Sequence, residues 1–106
     1  MIKSYTVIFN PQVYDDIKNS LAHYRKETKS EILGQRFLKA VKTNIKKLNK
    51  NPLNYQIRYR DIRFLEIVPF PHLAHFRVDE ENRIVRVEAI IHPAQDPNKW
   101  HSKTSL

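Results

Sequence analysis

The apolar spacing of this chain changes period at Asn51-Pro52, and that switch restricts the folds open to it. Before it, Val13, Ile17, Leu21 and Tyr24 recur at helical spacing, as do Leu33, Phe37, Val41, Ile45 and Leu48. After it, three runs rich in β-branched and aromatic residues follow: Ile62 to Val68, His72 to Val78 and Arg83 to Ile91. Helices gathered ahead of a run of strands imply an α+β layout, with a helical hairpin packed on one face of a small sheet.

Local signals place the boundaries. Tyr5, Val7 and Phe9 alternate within Lys3 to Phe9, which predicts a short first strand. Asn10-Pro11 reads as an N-cap followed by proline at the first helical position. The first helix is expected over about 11–27, with Asp15 and Asp16 placed to suit its dipole. Ser30 is a cap for the second helix, which Gly34 weakens by about 1 kcal/mol. Asn51-Pro52 ends it, because the residue before proline avoids the α region. Pro69-Phe70-Pro71 and the turn Asp79 to Asn82 separate the later strands, which predicts an antiparallel meander. In the last strand Val85, Val87, Ala89 and Ile91 are expected to face one way, and Arg86 and Glu88 the other. The expected order is β-α-α-β-β-β in one domain over 1–106, mainly antiparallel, with a polar tail whose residues 98–106 are mobile.

Composition removes several classes of function. With no cysteine, disulfides, thiolate zinc sites, iron–sulfur clusters and thiol nucleophiles are excluded. A single glycine argues against a Gly-rich phosphate loop. No signal-peptide core and no membrane-length apolar run are present, so a cytoplasmic protein with no membrane contact is expected. Lys and Arg outnumber Asp and Glu by 19 to 11, a formal charge of +8. That field favours an anionic partner: nucleic acid, an acidic protein or a membrane surface.

With these elements in order, four motifs carry a resemblance. They are Lys46-Lys47-Leu48-Asn49-Lys50-Asn51-Pro52, Asp61-Ile62-Arg63-Phe64-Leu65-Glu66-Ile67, Phe70-Pro71-His72-Leu73-Ala74-His75-Phe76-Arg77-Val78 and Ile90-Ile91-His92-Pro93-Ala94-Gln95-Asp96-Pro97, with Trp100 beyond. Together they resemble the RelE/ParE superfamily of type II toxins over about residues 3 to 100. The resemblance implies a growth-inhibiting toxin held inactive by a cognate, usually acidic antitoxin. It also implies one of two targets: RelE-like members cleave mRNA on the ribosome, and ParE-like members poison DNA gyrase. No cofactor and no metal is implied.

In the nuclease reading Arg63 matches the family's strand arginine and would hold a phosphate, and His92 would serve acid–base chemistry. Gln95 stands where the family has a second arginine, a target- or RNA-binding position at which it can donate a hydrogen bond but brings no charge. Loss of such a cation removes on the order of 3 kcal/mol of transition-state stabilisation. Alternatively Arg63 bonds Asp96 or backbone carbonyls, and His92 closes the last strand. Asp96 and Trp100 read as anchors of the tail. Arg58 and Arg60, flanking Tyr59, suit RNA contact or a snorkelling strand edge. Lys39, Lys42 and Lys46 form a basic helix face for a target or an antitoxin. His72 and His75 have a metal-like spacing, but on a strand they point to opposite faces. The missing arginine and the long hairpin favour gyrase targeting. The alternatives are a ribosome-dependent, metal-independent mRNA endoribonuclease and a non-enzymatic module that binds nucleic acid or antitoxin.

Overall fold

The computed structural model describes residues 4–28 and 31–92. Ser30, Gln95, Asp96 and Trp100, and with them the cap and tail-anchor expectations, lie outside these residues. The strands are β1 (Thr6–Phe9), β2 (Ile57–Tyr59), β3 (Ile62–Glu66), β4 (Leu73–Asp79) and β5 (Ile84–Ile91), and the helices are α1 (Gln12–Thr28) and α2 (Glu31–Ile45). They form one five-stranded sheet in the order β1-β5-β4-β3-β2, with the helical hairpin packed on one face. β1 runs parallel to β5, and the other pairs are antiparallel. The α+β expectation therefore holds, with one added element. β2 is a three-residue strand with a register shift, too short and too basic to stand out in the sequence.

The helices form where the caps and spacing direct. Asn10 Oδ1 accepts from the Gln12 N–H (3.1 Å), so the cap is made as expected. α2 ends earlier than its apolar stripe suggests and tightens into 3-10 turns at Lys46–Asn49 and Pro52–Asn54. Gly34 has a packing reason: a Cβ there would sit 3.2 Å from Leu21 Cδ2, so the two helices approach closely at this point. Between hairpin and sheet, Val13, Phe37, Val41, Ile45 and Leu48 pack on Leu65, Phe76, Val85, Val87 and Ile90. Full burial of such side chains stabilises by about 1.5–3 kcal/mol each.

One expectation about β5 is corrected. Val87 pairs with Phe76, yet Ala89 pairs with His75, so Glu88 is an extra residue in the ladder. The bulge reverses the parity of the strand. Val85 and Val87 face the helices as expected, but beyond the bulge Ile90 does so, while Ala89 and Ile91 are buried apart from the helix-facing cluster. Strict alternation fails here because one inserted residue flips every side chain after it.

The bulge is held by charge. The buried Glu88 carboxylate accepts from Arg77 Nε (2.8 Å) and Asn10 Nδ2 (3.3 Å) and is ion-paired with Arg86, whose Nε lies 3.0 Å from it. Arg77 also pairs with Asp61 at the β2–β3 turn. Where β1 ends, α1 takes over the edge of β5: Gln12 Nε2 donates to the Glu88 carbonyl (2.6 Å) and Asp16 Oδ2 accepts from the Ile90 N–H (3.0 Å). Glu88→Ala strips a buried partner from two guanidinium groups and is expected to lower unfolding free energy by about 3–5 kcal/mol in denaturant titration. Arg86→Ala, at a half-exposed side chain, is expected to change it by less than about 1 kcal/mol.

Candidate functional site

An open concave surface lies where β1, α1 and α2 meet. It is a groove of about 790 Å³ whose apolar walls include Tyr5, Val7, Val13, Ile17, Val41 and Ile45. Phe9 and Tyr14 stand at its mouth with ring centroids 6.2 Å apart, and Tyr14 is 60 % exposed. The charged residues among those lining the groove are Lys42 and Lys46. Lys39, exposed one turn before Lys42, continues the same helical stripe. The lysines of the sequence reading thus edge an apolar trough, which suits an amphipathic acidic segment.

The two nuclease candidates are not brought together. Arg63 pairs with Phe76, and its Nη1 donates to the carbonyls of Tyr55 (2.5 Å) and Leu53 (3.4 Å). The guanidinium therefore ties the second 3-10 turn to β3, which is the backbone-carbonyl alternative rather than a bond to the tail. His92 follows the far end of β5 and stacks edge-on against His72, ring centroids 5.1 Å apart. Along the strands the two positions are about four residues apart, roughly 13 Å, with two strand spacings of about 5 Å between them as well. Arg58 lies over the Phe64 ring at 5.8 Å. Arg60 occupies the β2–β3 turn with φ of 51°, a left-handed conformation that arginine adopts at a cost of about 1–2 kcal/mol.

Two clusters were invisible to the motif reading. On the sheet face away from the helices, Tyr59 Oη and His75 Nδ1 are hydrogen-bonded at 2.9 Å, and Phe64 stacks on His75 with centroids 4.2 Å apart. On the helix side, His72 is buried among Tyr24, Phe37 and Phe70, its Nε2 3.3 Å from Ser20 Oγ. The spacing His72-x-x-His75 does place these two rings on opposite faces. Only its packing in three dimensions reveals the aromatic cage, since Ser20 and Tyr24 are some fifty residues distant in sequence.

Burial, with the nearby His92 and His23, pushes the pKa of His72 down to about 4. The unfolded chain then binds the extra proton between pH 6.5 and 4. The stabilisation is full above about pH 6.5 and declines as pH falls through that window. It amounts to about 3 kcal/mol. Denaturant midpoints measured from pH 7 to pH 5 are expected to fall in the wild type and to fall much less in His72→Phe. Arg63→Ala frees two carbonyls from their donor and is expected to lower stability by about 1–2 kcal/mol, read by thermal melting.

Comparison with known proteins agrees with this architecture. The family model for the ParE toxin of type II toxin-antitoxin system, parDE, matches residues 7–97. No characterised protein matches closely enough to count as a relative. The match runs from within β1 through the end of β5. The chain therefore belongs to the ParE toxin family, the toxins of type II toxin–antitoxin systems.

Proposed function

We propose that this toxin acts by binding a protein, DNA gyrase, and that an acidic antitoxin silences it by laying an amphipathic segment in the lysine-edged groove. The observation that carries the first part is the separation of Arg63 from His92. Metal-free RNA cleavage needs a base, an acid and a phosphorane-binding cation around one phosphate. Here the strand arginine holds two backbone carbonyls, and the histidine sits at the other end of the sheet against His72. The groove supports the second part: apolar walls supply the contact, and Lys42 and Lys46 select the sign of the partner.

A second reading has one observation in its favour. Tyr59, Phe64 and His75 form an aromatic cluster beside Arg58 on the open sheet face, a surface that suits unstacked bases. That reading makes the chain a ribosome-dependent mRNA endoribonuclease. Arg60, at the adjacent turn, would serve either target by charge.

Inducing the chain alone is expected to arrest growth, with rescue by the antitoxin. Purified toxin is expected to inhibit gyrase supercoiling. Codon-phased cuts in primer extension on translating ribosomes, with supercoiling unaffected, would refute gyrase as the target. Lys42→Glu with Lys46→Glu is expected to weaken antitoxin binding by at least tenfold in low salt, and the wild-type affinity is expected to fall as salt rises. An affinity indifferent to both would refute the groove as the docking site.

A further inference from the structure

From Ile32 through Arg60 the chain holds no aspartate or glutamate, and eight of its 19 lysine and arginine residues fall in that span. All eight are exposed. Among the described residues the ion pairs run through Arg77 and Arg86, and none of the eight takes part in one. Lys42 and Lys46 line the apolar groove. Arg36, Lys39 and Thr43 recur at spacings of three and four on the exposed face of α2, and Lys47 and Lys50 continue the row beyond its end. From Arg36 to Lys47 the row spans about 17 Å at the helical rise.

One end of the row is anchored. Asn44 is buried, and its Nδ2 donates to the carbonyls of Ala40 (2.8 Å) and Val68 (3.0 Å). Its Oδ1 accepts from Lys47 Nζ (2.9 Å), which occupies one of the three ammonium donors. Lys47 also lines a second concavity, a crevice of about 550 Å³ at the edge of β3. Between Arg36 and Lys50 no large apolar or aromatic side chain is exposed: Phe37 is buried, and Leu38 lines the groove. A protein or a lipid surface would find no apolar anchor on this face, and unpaired bases would find no ring to stack on. What the face offers is a straight row of cations with the Thr43 hydroxyl among them, carried on a rigid helix. That suits a ligand which is itself stiff, regular and densely anionic. Duplex DNA carries one charge per about 1.7 Å of its axis and keeps its direction over about 150 base pairs. Its major groove, about 12 Å wide, admits a helix between two phosphate walls, whereas the major groove of A-form RNA is too narrow for side chains to enter.

We propose that the exposed face of α2 binds the phosphate backbone of duplex DNA, with Arg36, Lys39, Lys47 and Lys50 as the contacts. Binding alone is proposed, without readout of the bases and with no bond made or broken. The inference goes beyond the gyrase reading, because it concerns the toxin and DNA with no other protein present.

Fluorescence anisotropy of the full chain with a labelled DNA duplex of about 20 base pairs, read across a salt series from about 50 to 200 mM, tests it. Arg36→Gln with Lys47→Gln is expected to weaken binding at least tenfold. It should also reduce the log affinity–log salt slope by about 1.8, as for two phosphate contacts on a duplex. Lys39→Gln with Lys50→Gln, which spares the bond to Asn44, is expected to do the same. Lys18→Gln with Lys26→Gln takes the same charge from exposed positions on α1 and is expected to change affinity less than threefold. Glutamine keeps the helix propensity of lysine and arginine, and thermal melts separate loss of fold from loss of contact. Single-stranded DNA and an RNA duplex of the same sequence are expected to bind at least fivefold more weakly. Four results overturn the proposal: no binding of the duplex at the lowest salt, equal losses in all three double variants, an RNA duplex or a single strand bound as tightly as duplex DNA, or competition by polyglutamate or phosphatidylserine vesicles as effective as by unlabelled duplex at equal charge. The assay contains no gyrase and no antitoxin, so its failure and a failure to inhibit supercoiling are distinguishable.

Discussion

Glu88 is an extra residue in a strand that must otherwise alternate, and its carboxylate is buried. A lone buried charge of this kind is unfavourable by several kcal/mol, so its partners are obligatory. Arg77 comes from the neighbouring strand, Arg86 from the same strand and Asn10 from the start of α1. Asn10 also caps that helix, so the bulge and the helix origin are fixed by one side chain. The helix then covers the edge of β5 that β1 leaves open, through Gln12 and Asp16. Both the position of α1 and the groove beneath it follow from satisfying this one carboxylate.

The two concave surfaces differ in what they ask of a ligand. The groove between the helices and β1 is apolar with a basic edge, so a partner seated there would be held mainly by water exclusion. The crevice at the β3 edge is more polar, and within it Asn44 orients the Lys47 ammonium group.

Much of the architecture was legible from spacing alone. The period change at Asn51-Pro52 separates the layers, and Asn10-Pro11 marks the start of α1. The parity of β5 was not legible, because nothing local distinguishes Glu88 as an insertion until its partners on other elements are known. β2 was missed because three residues offer no period. The candidate site was legible unevenly. The stripe of Lys39, Lys42 and Lys46 was visible, but the trough it borders depends on residues of β1 and α1. Arg63 was visible as an arginine, whereas its carbonyl partners Leu53 and Tyr55 follow from the fold of the preceding turn. Asn44 gave no signal at all, since an asparagine within a helix reads as neutral until it is found buried.

The parallel pairing of β1 with β5 joins positions 78 residues apart, as the Asn10–Glu88 bond also does. Contacts of such long range form late, because the loop entropy between them must be overcome first. During synthesis the first strand and first helix therefore emerge long before the strand that seats them. The apolar groove has no β1 wall until β5 is in place. A partially made chain that lacks β5 therefore lacks the strand that seats β1, and with it the complete groove.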